Sequence, residues 1–238
     1  MFYEIVRRVL RPLCYILFWP VIAGRENIPA TGPVILAGNH LGSGETFLLV
    51  AMQDRHATFP VKRELFTSKT PWHRLFGWIL KSLGQVPMDR TGGRDSVDAL
   101  ASMRDVLAAG GLVAILPEGH RSPDGRLYRG RTGVARLALS TDALVVPFGC
   151  FRTRFVWRWL PFPWLFRPEI RIGEGFHFPE EVRRAFLDAP GRDEAAVVLR
   201  EATDEVMRHV QAITGQEMVD EFSYHPRRAP HHGHSGPA

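Results

Sequence analysis

The chain has 238 residues, of which 45% are hydrophobic, and this is enough for one sizeable α/β domain with a real core. Its formal net charge is +5, and only three of the 30 basic residues are lysines, which leaves 27 arginines. Arginine suits bidentate phosphate recognition and interfacial anchoring, although genome base composition produces the same bias without any function. The two cysteines, Cys14 and Cys150, exclude a disulfide framework and a cysteine metal site, which favours a reducing compartment.

Residues 1–23 combine a strongly apolar sequence with three arginines between positions 7 and 11. The apolar part from Leu13 to Ala23 is shorter than the ~20 residues of a transmembrane helix, and Pro20 interrupts it. The pattern predicts a helix on a membrane surface, with arginines at the headgroups and aromatic side chains in the interface. A cleaved signal peptide and an ordinary buried helix are the alternatives, but no small-x-small cleavage site follows.

The segment from Pro33 to Phe47 carries the strongest chemical signal. Its first half is an unbroken apolar run that ends in His40, and such a run predicts a strand with both faces covered. Two glycines and a serine then suit a sharp turn, and Glu45 precedes a predicted helix over Thr46 to Met52. His40 is therefore expected at the carboxyl end of a strand, where open α/β sheets bind their ligands.

His40 and Glu45 are five positions apart, so on one continuous helix their side chains would point away from each other. They can meet only if His40 lies in the turn and Glu45 reaches back from the first helical turn. The carboxylate would then fix the imidazole tautomer, while the other ring nitrogen takes a proton from a hydroxyl. In the alternative interpretation, Glu45 only complements the helix dipole and His40 is an ordinary turn residue.

Strands and helices alternate along the rest of the chain, which predicts an α/β fold with a mostly parallel sheet flanked by helices. Lys62 ends a predicted strand and can face the same crevice as His40. Arg90 ends another and enters a glycine-containing loop, where an ordinary solvated charge is the alternative interpretation. In the predicted helix from Pro71 to Leu83, the apolar stripe that includes Leu75 is interpreted as core, and Val97 lies on the apolar side of the predicted helix from Asp95 to Ala109. Predicted strands cover Ala57 to Lys62, Gly84 to Arg90, Leu112 to Leu116, Leu144 to Phe148 and Glu169 to Phe178. Predicted helices cover Pro71 to Leu83, Asp95 to Ala109, Thr132 to Ser140 and Asp193 to Thr214.

Two further segments have unusual composition. Residues 151–168 interleave aromatic side chains with arginines, which predicts a loop at a membrane interface. Stacking of nucleic-acid bases is the alternative, and the membrane is favoured because no nucleic-acid module accompanies the patch. Residues 223–238 are rich in His, Pro, Gly and Arg and are predicted to form a disordered tail with no metal site. The predicted organisation is a helical anchor over 1–23, an α/β domain over 24–222 and this tail.

Four separated segments stand out along the chain, namely Asn39 to Glu45, Gly84 to Arg90, Leu116 to Ser122 and Val145 to Phe148. Together they resemble the sequence blocks of the glycerolipid acyltransferases related to 1-acylglycerol-3-phosphate acyltransferase. Their order and spacing match across about residues 24–180. The resemblance implies an α/β acyltransferase sheet preceded by a membrane-associating helix. Asn39 to Glu45 resembles the family's Asn-His-x4-Asp block, Gly84 to Arg90 its second block, Leu116 to Ser122 its Phe-Pro-Glu-Gly-Thr-Arg-Ser block, and Val145 to Phe148 its last, proline-centred block.

The resemblance also implies the chemistry. His40 is then the general base that deprotonates an acceptor hydroxyl, with Glu45 as its partner, and the hydroxyl attacks the thioester of acyl-CoA or acyl-carrier protein directly. The expected acceptor is 1-acylglycerol-3-phosphate (lysophosphatidic acid), which gives phosphatidic acid in phospholipid biosynthesis at the cytoplasmic face of the cell membrane. The enzyme would be peripheral or monotopic on the phospholipid surface, with no metal, no cofactor and no nucleic-acid partner. The residues implied in binding the acceptor's glycerol and phosphate are Lys62, Arg90, Glu118, Gly119 and Arg121.

Two positions depart from the family pattern. Glu45 replaces an aspartate and is one methylene longer, so either the Gly42-Ser43-Gly44 turn recedes or the dyad is impaired. His120 replaces a threonine, which leaves another lysolipid or a lipid-linked sugar open as the acceptor. Competing hypotheses are a lipid-binding protein that has lost turnover and a thioesterase or lipid hydrolase that uses His40 with water. A serine hydrolase is disfavoured, because the chain has no Gly-x-Ser-x-Gly elbow.

Overall fold

The computed structural model describes residues 2–42, 44–67, 70–88, 94–153 and 167–223, and within them strands and helices alternate as the sequence predicts. The helices are α1 (Phe2–Phe18), α2 (Gly44–Met52), α3 (Glu64–Thr67), α4 (Pro71–Ser82), α5 (Arg94–Ala108), α6 (Gly133–Thr141), α7 (Glu180–Leu187) and α8 (Arg192–Thr214), with a 3₁₀ turn at Arg25–Asn27. The strands are β1 (Val21–Ala23), β2 (Val34–Gly38), β3 (Ala57–Thr58), β4 (Pro60–Lys62), β5 (Val86–Met88), β6 (Leu112–Ile115), β7 (Leu127–Tyr128), β8 (Leu144–Phe151), β9 (Glu169–Ile172) and β10 (Met218–Val219).

Six of these strands form one sheet in the order β1-β9-β8-β2-β6-β3. Strand β2 lies inside the sheet and pairs in parallel with both β6 and β8, and β3 pairs in parallel with β6. Strand β9 runs antiparallel to β8 and pairs in parallel with β1. The sheet is therefore mostly parallel, as predicted, but its β1-β9 edge runs opposite to the other four strands.

Both faces of β2 are covered, which explains its unbroken apolar sequence. All five of its residues are buried. Ile35 and Ala37 pack on one side against residues of α5, α6 and α8. Val34 and Leu36 pack on the other side against residues of α1 and α2. The central strand is thus fixed from both faces, and its carboxyl end has a defined position for the residues that follow.

Helix α1 has one buried and one exposed face. Tyr3, Cys14 and Phe18 are buried, and the helix packs against α2. An exposed apolar stripe runs along the other side. Its members Ile5, Val9, Leu13 and Ile16 have exposed fractions between 43% and 73%. No helix in the described part of the chain combines the length and the apolar character that crossing a bilayer requires.

The amino-terminal segment differs from the prediction in two respects. Residues Val21–Ala23 form β1 and pair with β9, so the helical segment ends at Phe18 and does not extend to residue 23. Arg7 and Arg11 were expected at a membrane surface, but their guanidinium groups pair with Asp54 at 3.1 Å and 2.8 Å. These two arginines tie α1 to the turn after α2, because their charges are matched by a carboxylate of the same domain.

Several predicted core positions and boundaries are wrong. Leu75 is 47% exposed and Val97 is 64% exposed, so the apolar stripes of α4 and α5 are only partly core. The strand predicted from Glu169 to Phe178 ends at Ile172, and the sequence pattern gave no indication of α7. Most of the predicted membrane-interface loop (residues 154–166) and of the predicted tail (residues 224–238) lies outside the described residues. Ser223, the first residue of the predicted tail, is buried.

The aromatic ring of Phe148 occupies the space next to Gly38 that a side chain at position 38 would need. The two residues are paired in register across β2 and β8, and a Cβ on Gly38 would lie 2.3 Å from the ring. We expect Gly38→Ala to lower the free energy of unfolding by about 1–3 kcal/mol, because the buried ring must move. Denaturant unfolding of the purified protein measures the effect.

Gly133→Ala is the matched control. Gly133 lies in the first turn of α6, and an added Cβ would meet its nearest neighbour at 3.4 Å, an ordinary contact. This substitution should be neutral or stabilise by up to about 1 kcal/mol, since alanine favours a helix over glycine. Equal destabilisation by both substitutions would contradict the role assigned to the Phe148 ring.

Candidate active site

His40 and Glu45 meet across the turn that joins β2 to α2. Glu45 is the second residue of α2, and its Oε1 lies 2.5 Å from Nδ1 of His40. The same carboxylate accepts the backbone N–H of Gly42, at 2.9 Å for Oε1 and 3.0 Å for Oε2. The carboxylate therefore reaches back from the first helical turn, as the spacing requires. The hydrogen bond is kept although glutamate is longer than aspartate.

The environment of this pair defines which imidazole nitrogen is basic. Glu45 has no exposed surface and His40 is 5% exposed. Because a carboxylate accepts the hydrogen bond, Nδ1 of His40 carries the proton in the contact and Nε2 presents its lone pair. Nε2 has no hydrogen-bond partner among the described residues. Glu45 thus fixes the tautomer of His40 and leaves Nε2 able to accept a proton.

The main chain of His40 is held by the turn that follows β6. Oε1 of Glu118 accepts the backbone N–H of His40 at 2.8 Å, and the carbonyl of His40 accepts the N–H of Ser122 at 2.7 Å. Both polar groups of the His40 backbone are therefore occupied by the same turn. The turn from Leu116 to Ser122 therefore supports the main chain of His40.

Glu118 does not have the arrangement expected of a direct acceptor ligand. It has no exposed surface, and its second oxygen accepts the backbone N–H of Tyr128 at 3.0 Å. Each carboxylate oxygen of Glu118 thus accepts a hydrogen bond from one main-chain amide, and one of these amides is that of His40. Burial raises the pKa of Glu118 to about 7, against the opposing effect of the two amide donors. In this arrangement Glu118 is a positioning residue.

Gly119 and Arg121 occupy different environments in the same turn. Gly119 has φ = +72°, and its N–H donates to the carbonyl of Leu116 at 2.9 Å, so the glycine allows the chain to reverse direction. Arg121 is exposed, and its carbonyl accepts the hydroxyl of Ser223 at 3.1 Å. The Arg121 guanidinium forms no ion pair with any residue that the structure describes, which leaves its charge for a ligand.

The two remaining predicted binding residues follow strands of a small separate sheet. Lys62 ends β4, which pairs in parallel with β5 and sets Lys62 opposite Met88. It is exposed, and it lies four residues beyond β3, whose carboxyl end is at the same sheet edge as His40. Arg90 follows β5 by two residues and lies outside the described residues.

Asn39 is an organising residue whose role sequence reasoning did not identify. Its Oδ1 accepts the N–H of Cys150 at 2.7 Å, and its Nδ2 donates to the Cys150 carbonyl at 3.1 Å. The side-chain amide thus takes the place of a peptide and continues the β2-β8 pairing beyond Gly38. Nδ2 also donates to Oε1 of Gln216 at 2.8 Å. A buried polar residue between an apolar strand and a candidate catalytic histidine was the available signal.

These features can support acid–base chemistry on a hydroxyl next to cationic side chains. Within the described ranges, no group of three or more His, Cys, Asp or Glu side chains is arranged to hold a metal ion. The sequence model of the acyltransferase family matches residues 20–150, which contain the histidine, its carboxylate and the turn that holds them. The chain belongs to the acyltransferase family. The matched range includes the Asn-His-x4-Glu segment from Asn39 to Glu45.

Relatives with known names agree with this family. A chloroplast 1-acyl-sn-glycerol-3-phosphate acyltransferase of Arabidopsis thaliana is 32% identical over 127 residues, which cover 53% of this chain and 34% of the relative. A 1-acyl-sn-glycerol-3-phosphate acyltransferase of Pseudomonas aeruginosa is 29% identical over 180 residues, which cover 74% and 66% of the two chains. The aligned part of this chain spans about a third of the plant relative's length.

A solved structure supports the fold. The 1-acyl-sn-glycerophosphate acyltransferase PlsC of Thermotoga maritima superposes with a TM-score of 0.54 and 20% sequence identity. The superposition covers 86% of this chain and 79% of the other. At this identity the likeness concerns the architecture, and it agrees with the α/β fold that the strand and helix pattern predicts.

The raised pKa of Glu118 makes the stability of this chain depend on pH. Between the ordinary glutamate pKa near 4.5 and the folded value of about 7, the folded chain binds more protons at this site than the unfolded chain. The free energy of unfolding therefore falls as pH rises through this window, by about 3 kcal/mol at most for this group. Glu118→Gln removes the titration, so the stability of wild type relative to this variant should fall from pH 4.5 to pH 7.

Denaturant unfolding at several pH values measures this difference. Glu201→Gln, on the exposed side of α8, is the control for a change of charge away from the site. A difference between wild type and Glu118→Gln that stays constant from pH 4.5 to pH 7 would show that the buried carboxyl does not titrate in this range.

Proposed function

We propose that this acyltransferase moves a fatty acyl group from an acyl thioester to the hydroxyl of 1-acylglycerol-3-phosphate, with phosphatidic acid as the product. The thioester is acyl-CoA or acyl-carrier protein. The observation that carries the proposal is the 2.5 Å contact between His40 and Glu45, which leaves Nε2 of His40 as a base at the sheet edge. The relatives named for this activity support the same acceptor.

In the proposed reaction, Nε2 of His40 takes the proton of the acceptor hydroxyl while that oxygen attacks the thioester carbonyl carbon. Glu45 stabilises the imidazolium that forms, and its hydrogen bond keeps the ring oriented. The tetrahedral intermediate then collapses, the carbon–sulfur bond breaks, and the leaving thiolate takes the proton from His40. The products are an ester and a free thiol, and a positioned base of this kind contributes about 10²- to 10⁴-fold in rate.

Cationic side chains near this edge suit an acceptor with a phosphomonoester. Arg121 and Lys62 are exposed, and neither forms an ion pair with any residue in the described ranges. An unneutralised guanidinium can give a phosphate two charge-assisted hydrogen bonds, and an ammonium adds a point charge. Together with Arg90, they form the proposed acceptor site, while Glu118 and Gly119 contribute by shaping the turn that carries Arg121.

The intact dyad argues for turnover over mere lipid binding. A chain that had lost catalysis through the change from aspartate to glutamate would not need the buried contact between the carboxylate and Nδ1. Here Glu45 keeps that contact and also accepts the Gly42 N–H, so the carboxylate is held at two points. The longer side chain is thus accommodated by its local backbone.

The exposed stripe of α1 supports peripheral association with a phospholipid surface. Its residues repeat at intervals of three and four along one side of the helix, and Leu75 and Trp78 of α4 add further exposed apolar surface. Arg8 is exposed and forms no ion pair among the described residues, which suits contact with anionic headgroups. The proposed location is the cytoplasmic face of the cell membrane, where the lipid acceptor is available for phospholipid biosynthesis.

Acyl transfer by the purified full chain tests the reaction. With oleoyl-CoA and lysophosphatidic acid in detergent micelles, we expect wild type to form phosphatidic acid and His40→Ala to lose about 10²- to 10⁴-fold in turnover. Glu45→Asp should lose about 10- to 100-fold, because the shorter acid cannot reach both Nδ1 and the Gly42 amide from its place in α2. His177→Ala removes an exposed histidine and should retain wild-type turnover.

Other products would contradict the proposal in distinct ways. Free fatty acid released through His40 in place of an ester would indicate a hydrolase. An intact thioester with every acceptor tried would indicate a lipid-binding protein. A Glu45→Asp variant faster than wild type would mean that glutamate impairs the dyad.

Membrane association gives a separate prediction. Ile16→Asp should weaken sedimentation with phosphatidylglycerol-containing vesicles about tenfold or more, because an ionised carboxylate must leave the apolar interface. Val97→Asp is the matched control, since it alters an aliphatic side chain of similar exposure on α5. Equal vesicle binding by wild type and both variants would exclude the α1 stripe as the membrane contact.

A further inference from the structure

Residues 216–223, named here the C-terminal strap, lie across the loop that follows the Leu116 to Ser122 block. The N–H of Leu127 donates to the carbonyl of Glu217, and the N–H of Arg129 donates to the carbonyl of Glu221, both at 2.9 Å. Strand β10 of the strap pairs in parallel with β7 of the loop. Gln216 donates its side-chain N–H to the carbonyl of Gly125. The strap therefore fixes the loop through main-chain bonds along its length.

Two of the three arginines in this loop are paired with carboxylates, partly from the strap, and the third is not. Arg126 pairs with Asp124 at 2.7 Å and with Glu217 of the strap at 3.7 Å. Arg129 pairs with Asp220 of the strap at 3.5 Å. Arg131 is exposed and has no ion-pair partner in the ranges that the structure describes. One full positive charge therefore remains in this loop.

Arg131 lies directly beside the turn that holds His40. Its backbone N–H donates to the carbonyl of Pro117 at 2.8 Å, and its Nε lies 2.8 Å from the point where a Cβ on Gly119 would be. The guanidinium carbon is 5.5 Å from the ring centroid of Phe222 in the strap. The Arg131 side chain thus packs against the backbone of Gly119, and a cation–π contact with the Phe222 ring stabilises it there.

Arg121 belongs to the turn that contains Gly119 and the Arg131 side chain lies against Gly119, and each of the two arginines contacts one of two neighbouring strap residues. Phe222 contacts the Arg131 guanidinium, and Ser223 donates its hydroxyl to the carbonyl of Arg121. Gly119 itself follows Glu118, which binds the His40 amide. A side chain on residue 119 would displace the Arg131 side chain, so the glycine leaves room for this cation beside the turn that holds the candidate base, where it can bind a dianionic group.

We propose that Arg131 is an additional ligand for the acceptor's phosphomonoester and that Phe222 of the strap positions it. This inference rests on the proposed acyl transfer to a phosphorylated lysolipid. A phosphomonoester carries up to two negative charges, which Arg121 and Arg131 together match. Arg131 adds to the residues that the family resemblance assigns, and the strap becomes part of the acceptor site although it lies outside the family match at residues 20–150.

The test compares Arg131→Gln with Arg129→Gln in the full chain. Both residues lie in one loop and contact Phe222, but only Arg129 is already paired with a carboxylate. We expect Arg131→Gln to raise the KM for lysophosphatidic acid about 10- to 100-fold, as for the loss of a charged hydrogen-bond pair, with an unchanged KM for oleoyl-CoA. Arg129→Gln should stay within about threefold of wild type, and Arg131→Lys should recover part of the loss.

Two further measurements separate a phosphate ligand from other roles. With monoacylglycerol, which lacks the phosphate, Arg131→Gln and wild type should have the same kcat/KM. Phe222→Leu keeps an apolar side chain and removes the aromatic face, so it should raise the KM for lysophosphatidic acid by a smaller factor than Arg131→Gln. Vesicle sedimentation of Arg131→Gln should match wild type, because the charge is assigned to the acceptor and not to membrane headgroups.

The inference is overturned if Arg131→Gln and Arg129→Gln change the KM for lysophosphatidic acid equally, if the loss is the same with monoacylglycerol, or if only vesicle binding falls. Calorimetric binding of lysophosphatidic acid in detergent micelles keeps the test independent of turnover. If wild type transfers no acyl group but Arg131→Gln still binds lysophosphatidic acid more weakly than wild type does, the proposed function alone is overturned. Equal binding by wild type and Arg131→Gln would overturn the inference alone.

Discussion

The chemistry of the site depends on how the hydrogen bonds of the His40 main chain hold this residue in place. A histidine side chain has only two torsion angles, so a fixed main chain and one hydrogen bond at Nδ1 define where Nε2 lies. Here the turn after β6 holds both backbone polar groups of His40, and Glu45 holds the ring. The direction of the basic nitrogen is therefore set jointly by β2, β6 and α2. Such preorganisation lowers the reorganisation that the reaction would otherwise require.

The local part of this arrangement could be predicted from the sequence. An apolar run that fills both faces of a central strand, a glycine-rich turn and a five-residue spacing are short-range signals, and they give β2, α2 and the contact of His40 with Glu45. The contacts of Glu118 with His40 and of Asn39 with Cys150 span 78 and 111 residues. A polar side chain that binds a distant main chain leaves no periodic pattern. The inward direction of Glu118 and the reversed β9 were therefore not predictable in this way.

The two faces of α1 explain why its sequence fits both a buried helix and a membrane-surface helix. One face supplies Tyr3, Cys14 and Phe18 to the core, while the opposite face exposes aliphatic side chains. Both faces are apolar for different physical reasons, and composition alone cannot separate them. The pairing of Arg7 and Arg11 with Asp54 fixes which face turns inward, because it directs the basic side of α1 toward the turn after α2.

The C-terminal strap also has a consequence for biosynthesis. Asn39 is synthesised early, yet one of its hydrogen bonds is made to Gln216, a separation of 177 residues. During translation, the sheet core can assemble as its strands emerge, but this contact has to wait until the chain has been made beyond residue 216. Contacts of such long range form late, after loop closure has been offset by nearer ones. A nascent chain would thus pair its sheet strands before Asn39, the neighbour of His40, gains its hydrogen bond to Gln216.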